Sequence, residues 1–184
     1  MANFEQLKQQ IQEYFGSHGK IAEHKTGMVR DLAKPKSMGL FFCIKTKNEL
    51  DMIRSLLRLI RRRKERVTAY VFSHSRERID VITDPSIIYF DMNDFTLLAK
   101  KKDQVKGIFE RDRPELLISL LAKPDTFCYK LASEIHADFK VGPNKEGFTD
   151  IYDLVLDTDG NKFNFIKFYD HVKHYLTVLN IKTR

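Results

Sequence analysis

The chain has no tryptophan and only two cysteines in 184 residues. None of its apolar runs approaches the ~20 residues that a bilayer-spanning helix needs, so no transmembrane span is expected. The opening stretch MANFEQLKQQIQEYF alternates polar and apolar residues. It lacks the uninterrupted apolar segment of a secretory signal. No G-x-G-x-x-G or P-loop pattern follows an expected strand, which removes the usual sequence mark of a phosphate cradle. No G-x-S-x-G elbow occurs. Zinc-finger spacing and an RNA-recognition signature are missing as well. Two cysteines are too few for a disulfide scaffold. Cys43 and Cys128 each lie among apolar neighbours and read as buried free thiols, acting as small hydrophobes. Together these absences point to a cytoplasmic protein with no activated cysteine.

What is present is an uneven distribution of charge. Residues 1–66 carry 15 Lys+Arg against 7 Asp+Glu, whereas residues 67–184 carry 17 against 18. The formal net charge of +7 therefore belongs to the first third of the chain. Its focus is Arg58, Arg61, Arg62, Arg63, Lys64 and Arg66, at the end of one expected helix. Such a one-sided field steers polyanions toward one face. The bland alternative is a solvated helix end, where basic side chains complement the macrodipole. No aromatic residue is interleaved with these arginines, so a base-stacking platform is not indicated.

Hydrophobic period supplies the fold. Residues 3–15 place Phe4, Leu7, Ile11, Tyr14 and Phe15 at helical spacing, and Gly16 and Gly19 stop that helix. Residues 20–37 show no period and read as an irregular connection. The division expected is an N-terminal helix and basic connection over 1–35, followed by an α/β core domain over 36–184. The runs MGLFFCI (38–44), VTAYVF (67–72), IIYF (87–90) and LLISLL (116–121) have the apolar continuity of strands buried on both faces. Shorter strands are expected near 139–141 and 152–156. Helical stripes alternate with them: Ile53, Leu56, Leu57 and Ile60; Val105, Ile108 and Phe109; Phe127, Cys128, Leu131 and Ile135; Ile166, Tyr169, Val172, Leu176 and Leu179. Alternating strands and helices imply a doubly wound, mostly parallel sheet of five to six strands, a Rossmann-like three-layer sandwich. No helix fits between Val141 and Tyr152, so that last step is expected to be antiparallel.

The strings KSMGLFF (36–42), FKVG (139–142) and YDLVLD (152–157), followed by a helix holding Tyr175-Leu176, resemble an uncharacterised family of Bacteroidetes proteins with a Rossmann-like α/β core. The resemblance covers most of the chain after Lys36 and implies the fold without implying an activity. One departure is Lys45, where the resemblance leads us to expect an acidic residue.

Open α/β sheets bind ligands beyond the carboxyl ends of their strands. The residues expected there include Thr46, Ser73, His74 and Asn93, a candidate ligand crevice. Weak metal patterns do not change the reading. His171 and His174 are three apart on the last helix and lack a third ligand, and Asp157-Thr158-Asp159-Gly160 opens like a calcium loop without its remaining ligands. We expect no metal, no cofactor and no catalytic residue. The reading is a non-enzymatic α/β domain that binds nucleic acid or another polyanion through the basic cluster. Its rivals are a small-molecule or nucleotide-derivative enzyme at the carboxyl edge, and a structural homo-oligomer held by the N-terminal helix. That helix is expected to dock on its own sheet or on a second copy rather than on lipid.

Overall fold

The computed structural model describes residues 19–21, 32–62, 66–75, 84–95, 103–121, 126–144, 149–157 and 163–182. The expected helix over 3–15 lies outside them. In chain order the elements are β1 (Gly19–Ile21), β2 (Met38–Ile44), α1 (Lys47–Arg62), β3 (Val67–Ser73), β4 (Ile87–Asp91), α2 (Asp103–Arg111), β5 (Leu116–Leu120), α3 (Thr126–Glu134), β6 (Phe139–Pro143), β7 (Leu154–Leu156) and α4 (Phe165–Lys182). The seven strands form one sheet in the order β1-β7-β6-β5-β2-β3-β4. All neighbours are parallel except β1 and β7. Counted from β2, the six parallel strands follow the 3-2-1-4-5-6 order of doubly wound dinucleotide-binding sheets.

The apolar runs explain the centre of this sheet. Strand β2 lies between β5 and β3, in register Leu40↔Ile118 and Leu40↔Ala69. Alternation along β2 sends Met38, Leu40, Phe42 and Ile44 to one face, and Phe41 to the other. The first face packs on Ile53, Leu56, Leu57 and Ile60 of α1 and on Phe168, Tyr169 and Val172 of α4. The second packs on Val105 and Phe109 of α2 and on Tyr129, Leu131 and Ala132 of α3. Phe41 and Ile118 are wholly buried. Each side chain hidden to that extent contributes about 1.5–3 kcal/mol of transfer free energy.

Two strand expectations need correction. Gly19–Ile21, within the stretch read as irregular or as a helix stop, is an edge strand that pairs antiparallel with β7. It is specified by backbone pairing and carries one apolar residue, so no periodicity announces it. The step from β6 to β7 is parallel, with Val141 opposite Leu154. A short 3-10 turn, Thr149–Ile151, carries the chain across in place of a crossover helix. Asp153 then clamps the return: its Oδ2 accepts from the Lys140 N–H at 2.7 Å, and its own N–H donates to the Lys140 carbonyl at 2.8 Å. The Tyr152 ring stands directly over Gly142, where any Cβ would collide with it.

Candidate functional site at the carboxyl edge of the sheet

The strand order reverses between β2 and β5, and the crevice beyond such a switch point is where open α/β sheets hold ligands. Three reactive side chains meet there. Cys43 is the penultimate residue of β2, Cys128 lies in the first turn of α3, and His74 directly follows β3. Cys43 and Cys128 are joined as a disulfide, with Cα atoms 6.4 Å apart and a sequence separation of 85. His74 Nε2 lies 3.4 Å from the Cys43 sulfur and 3.5 Å from the Cys128 sulfur. Cys128 is fully buried, whereas Cys43 and His74 are half-buried. Phe72 packs its ring edge-on to His74 at 4.9 Å, and Phe127 and Phe95 stack behind it.

The pair corrects the reading of two separate free thiols. Alternation places Cys43 on the face of β2 that also carries Phe41. The crossover from β5 brings the first turn of α3 over that same face.

The other crevice candidates are structural in their contacts. Thr46 caps α1: the Glu49 N–H donates to Thr46 Oγ1 at 3.3 Å, while Glu49 Oε2 accepts from the Lys45 and Thr46 N–H groups at 2.7 and 3.0 Å. Those two amides belong to the turn that would greet a pyrophosphate in a dinucleotide-binding fold. Here the chain's own carboxylate takes them. Ser73 is buried and accepts from the Ser75 N–H at 3.2 Å. The Asn93 N–H donates to Asp91 Oδ1 at 2.8 Å, part of a capping box that Asp94 completes. Of Thr46, Ser73, His74 and Asn93, His74 is the one whose ring nitrogen meets the two sulfurs.

The basic cluster lies on a different side of the molecule. Ile60 turns inward and Arg58, Arg61 and Arg62 are exposed at the end of α1, with Arg66 exposed just before β3. Arg63 and Lys64 lie outside the described residues. Arg61 is already engaged: its Nη2 contacts Asp84 Oδ1 at 2.5 Å and also meets Ser86 Oγ. That guanidinium holds the Asp84 carboxyl below the usual carboxylate range. Arg66 and Arg113 flank a cleft of about 250 Å³ at the amino edge of the sheet, floored by Thr68 and Tyr70. Tyr70 donates to Asp112 Oδ2 there at 3.2 Å.

A model of DUF6913, a family of unknown function, matches residues 5–179. The chain belongs to that family. No curated protein and no solved structure shows a significant match to it. Among the described residues of this DUF6913 chain, no helix is long and apolar enough to cross a membrane.

The residues that sequence reasoning missed are Cys43 and Cys128. A signal was present: both cysteines and His74 fall at the carboxyl ends of core strands or at the start of the following helix. Reading each cysteine only against its apolar neighbours hid that shared edge. His171 and His174 are exposed on α4, far in sequence from this centre.

Proposed function

We propose that this domain works through its Cys43–Cys128 pair as a thiol–disulfide-responsive site at the switch point of the sheet. One observation carries the reading: a single imidazole nitrogen faces both sulfurs of the chain's only two cysteines. A disulfide kept solely for stability needs no such neighbour. The lack of a glycine-rich loop and the occupation of the α1 amides by Glu49 speak against a dinucleotide as the ligand.

Burial decides the direction of exchange. Cys43 is the more exposed of the two residues, so an incoming thiolate is expected to attack its sulfur rather than that of buried Cys128. The sulfur–sulfur bond breaks, a mixed disulfide forms on Cys43, and Cys128 leaves as a thiolate at the helix terminus, beside His74. If the attacking molecule is a dithiol, its second thiolate then attacks its own sulfur in the mixed bond and releases Cys43. Two electrons and two protons pass from the dithiol to the protein. Such cycling suits a cytoplasmic protein, where lasting disulfides are rare and transient ones serve sensing or catalysis. We therefore place the domain in the cytoplasm.

The test uses oxidised glutathione and mass mapping. Cys128→Ser should accumulate a glutathione adduct on Cys43, because the resolving thiol is gone. Cys43→Ser should react far more slowly at the enclosed Cys128. Equal reaction of both variants, or a wild-type pair that a dithiol cannot reduce in the folded protein, would overturn the reading.

A second reading is favoured by Arg58, Arg62 and Arg66, which are exposed and meet no carboxylate among the described residues. They support a weak, salt-sensitive contact with a polyanion such as RNA, independent of the thiol centre.

A further inference from the structure

We infer that, once reduced, Cys43, His74 and Cys128 form a binding site for a thiophilic divalent metal ion of the zinc class. The inference rests on the thiol reading above, since it needs both sulfurs as thiolates. Its first support is geometric. The three ligand atoms all lie within 4.8 Å of one another. A tetrahedral zinc with bonds of about 2.3 Å to sulfur and 2.0–2.1 Å to nitrogen places those atoms roughly 3.6 Å apart. The Nε2 atom of His74 already stands 3.4 and 3.5 Å from the two sulfurs. Only the sulfurs must move, parting to roughly 3.8 Å in the same tetrahedron. The 6.4 Å between their Cα atoms allows this by side-chain rotation, with β2 and α3 unmoved.

The second support is chemical. Two thiolates and one imidazole are a soft donor set, suited to zinc and poorly suited to magnesium or calcium. Phe72 and Phe127 wall the site against water. Two neighbouring thiolates without a cation would be costly in such surroundings, and one divalent ion neutralises both. The half-buried side, at Cys43 and His74, leaves a fourth position for water or for a donor from solvent. Three protein ligands with one open position is the pattern of catalytic rather than structural zinc sites.

The steps balance. A dithiol reduces the Cys43–Cys128 bond, giving two protein thiols and the reductant's own disulfide. The metal ion then displaces one proton from each thiol, sheds hydration water and takes the neutral His74 Nε2 as third ligand. Two protons are released for each ion bound. Oxidation of the sulfur pair expels the ion, so redox state and metal occupancy are mutually exclusive.

The experiment titrates zinc into the reduced, untagged full-length protein against a chromophoric chelator, and repeats the titration with cobalt to read sulfur-to-metal charge transfer and tetrahedral d–d bands. We expect one equivalent bound, about two protons released, and thiolate bands with cobalt. Cys43→Ser, Cys128→Ser and His74→Ala should each weaken binding by roughly 100-fold or more, beyond the 10–100-fold cost of losing an outer-shell partner. His171→Ala with His174→Ala should leave it unchanged. Absence of binding by reduced protein with native circular dichroism, or binding that survives the three ligand variants, would overturn the inference. Failure of the thiol reading appears separately: metal-free oxidation would then yield no Cys43–Cys128 linkage, whatever the titration shows.

Discussion

Reduction of the Cys43–Cys128 bond should lower stability by an amount that chain entropy sets. The bond closes a loop with a sequence separation of 85 residues. In the loop-closure model that cross-link removes about 15 cal/mol/K from the unfolded ensemble, or roughly 4.6 kcal/mol at 25 °C. For a chain of this size each kcal/mol moves the melting temperature by about 2–4 °C, so a fall of roughly 10–20 °C is expected on reduction. The assay is thermal and urea unfolding of one preparation with and without a dithiol reductant, followed by circular dichroism. Cys43→Ser with Cys128→Ser should unfold near the reduced protein and ignore the reductant. Zinc should restore part of the loss to reduced wild type alone, because an ion bound only by the native state stabilises it. If oxidised and reduced proteins unfold at one midpoint, the bond does not constrain the native chain as described, and the reasoning fails.

Other expectations follow from particular contacts. Gly142→Ala should cost about 1–3 kcal/mol in urea unfolding, since the new methyl group meets the Tyr152 ring; Tyr152→Leu in the same chain should recover part of it, and an unchanged midpoint would show the ring free to move. Burial, aided at Tyr70 by the Asp112 carboxylate, holds the Tyr70 and Tyr152 hydroxyls well above the usual range, and burial pushes Tyr129 up to about 12. The unfolded tyrosines lose their protons near pH ~10 while the folded ones keep theirs, so stability should be flat below that pH and fall above it, by at most about 1.4 kcal/mol per pH unit for each tyrosine. A urea midpoint that does not fall between pH 10 and 11 would contradict those burials. Replacing Arg58, Arg62 and Arg66 by Gln should leave folding within about 0.5 kcal/mol and reduce the salt slope of heparin or RNA retention by up to about three; an unchanged slope would remove the polyanion reading.

Much of the fold is legible in the sequence because burial on both faces leaves a plain mark. The runs 38–44, 67–72 and 116–121 become β2, β3 and β5, adjacent and parallel as their apolar continuity implies. Ile60 completes the inward stripe of α1. Strand β1 was illegible because three residues held by main-chain pairing leave no periodic trace. The parallel return to β7 was illegible because a single 3-10 turn does the work of a helix. The candidate site follows the same logic. His74 was found from its place at a strand end. Its partners were not, because contact between Cys43 and Cys128 depends on strand order, pleat and helix placement together. The Arg61–Asp84 pair spans 23 residues and likewise needs the β3–β4 connection to bring it together.

The sulfur bridge also determines how this molecule can come apart. It fastens the end of β2 to the helix that follows β5, on opposite sides of the point where the sheet changes winding direction. On one side lie β2, β3 and β4; on the other lie β5, β6, β7 and β1. While the bridge holds, neither half can detach without straining the other, and amide protons in both should exchange in a single concerted opening. Once it is broken, the seam between β2 and β5 rests on backbone pairing and on the shared core beneath the sheet, and amide exchange in the two halves should become less tightly coupled. The redox state of two sulfur atoms should thus set how tightly the two halves of the sheet open together.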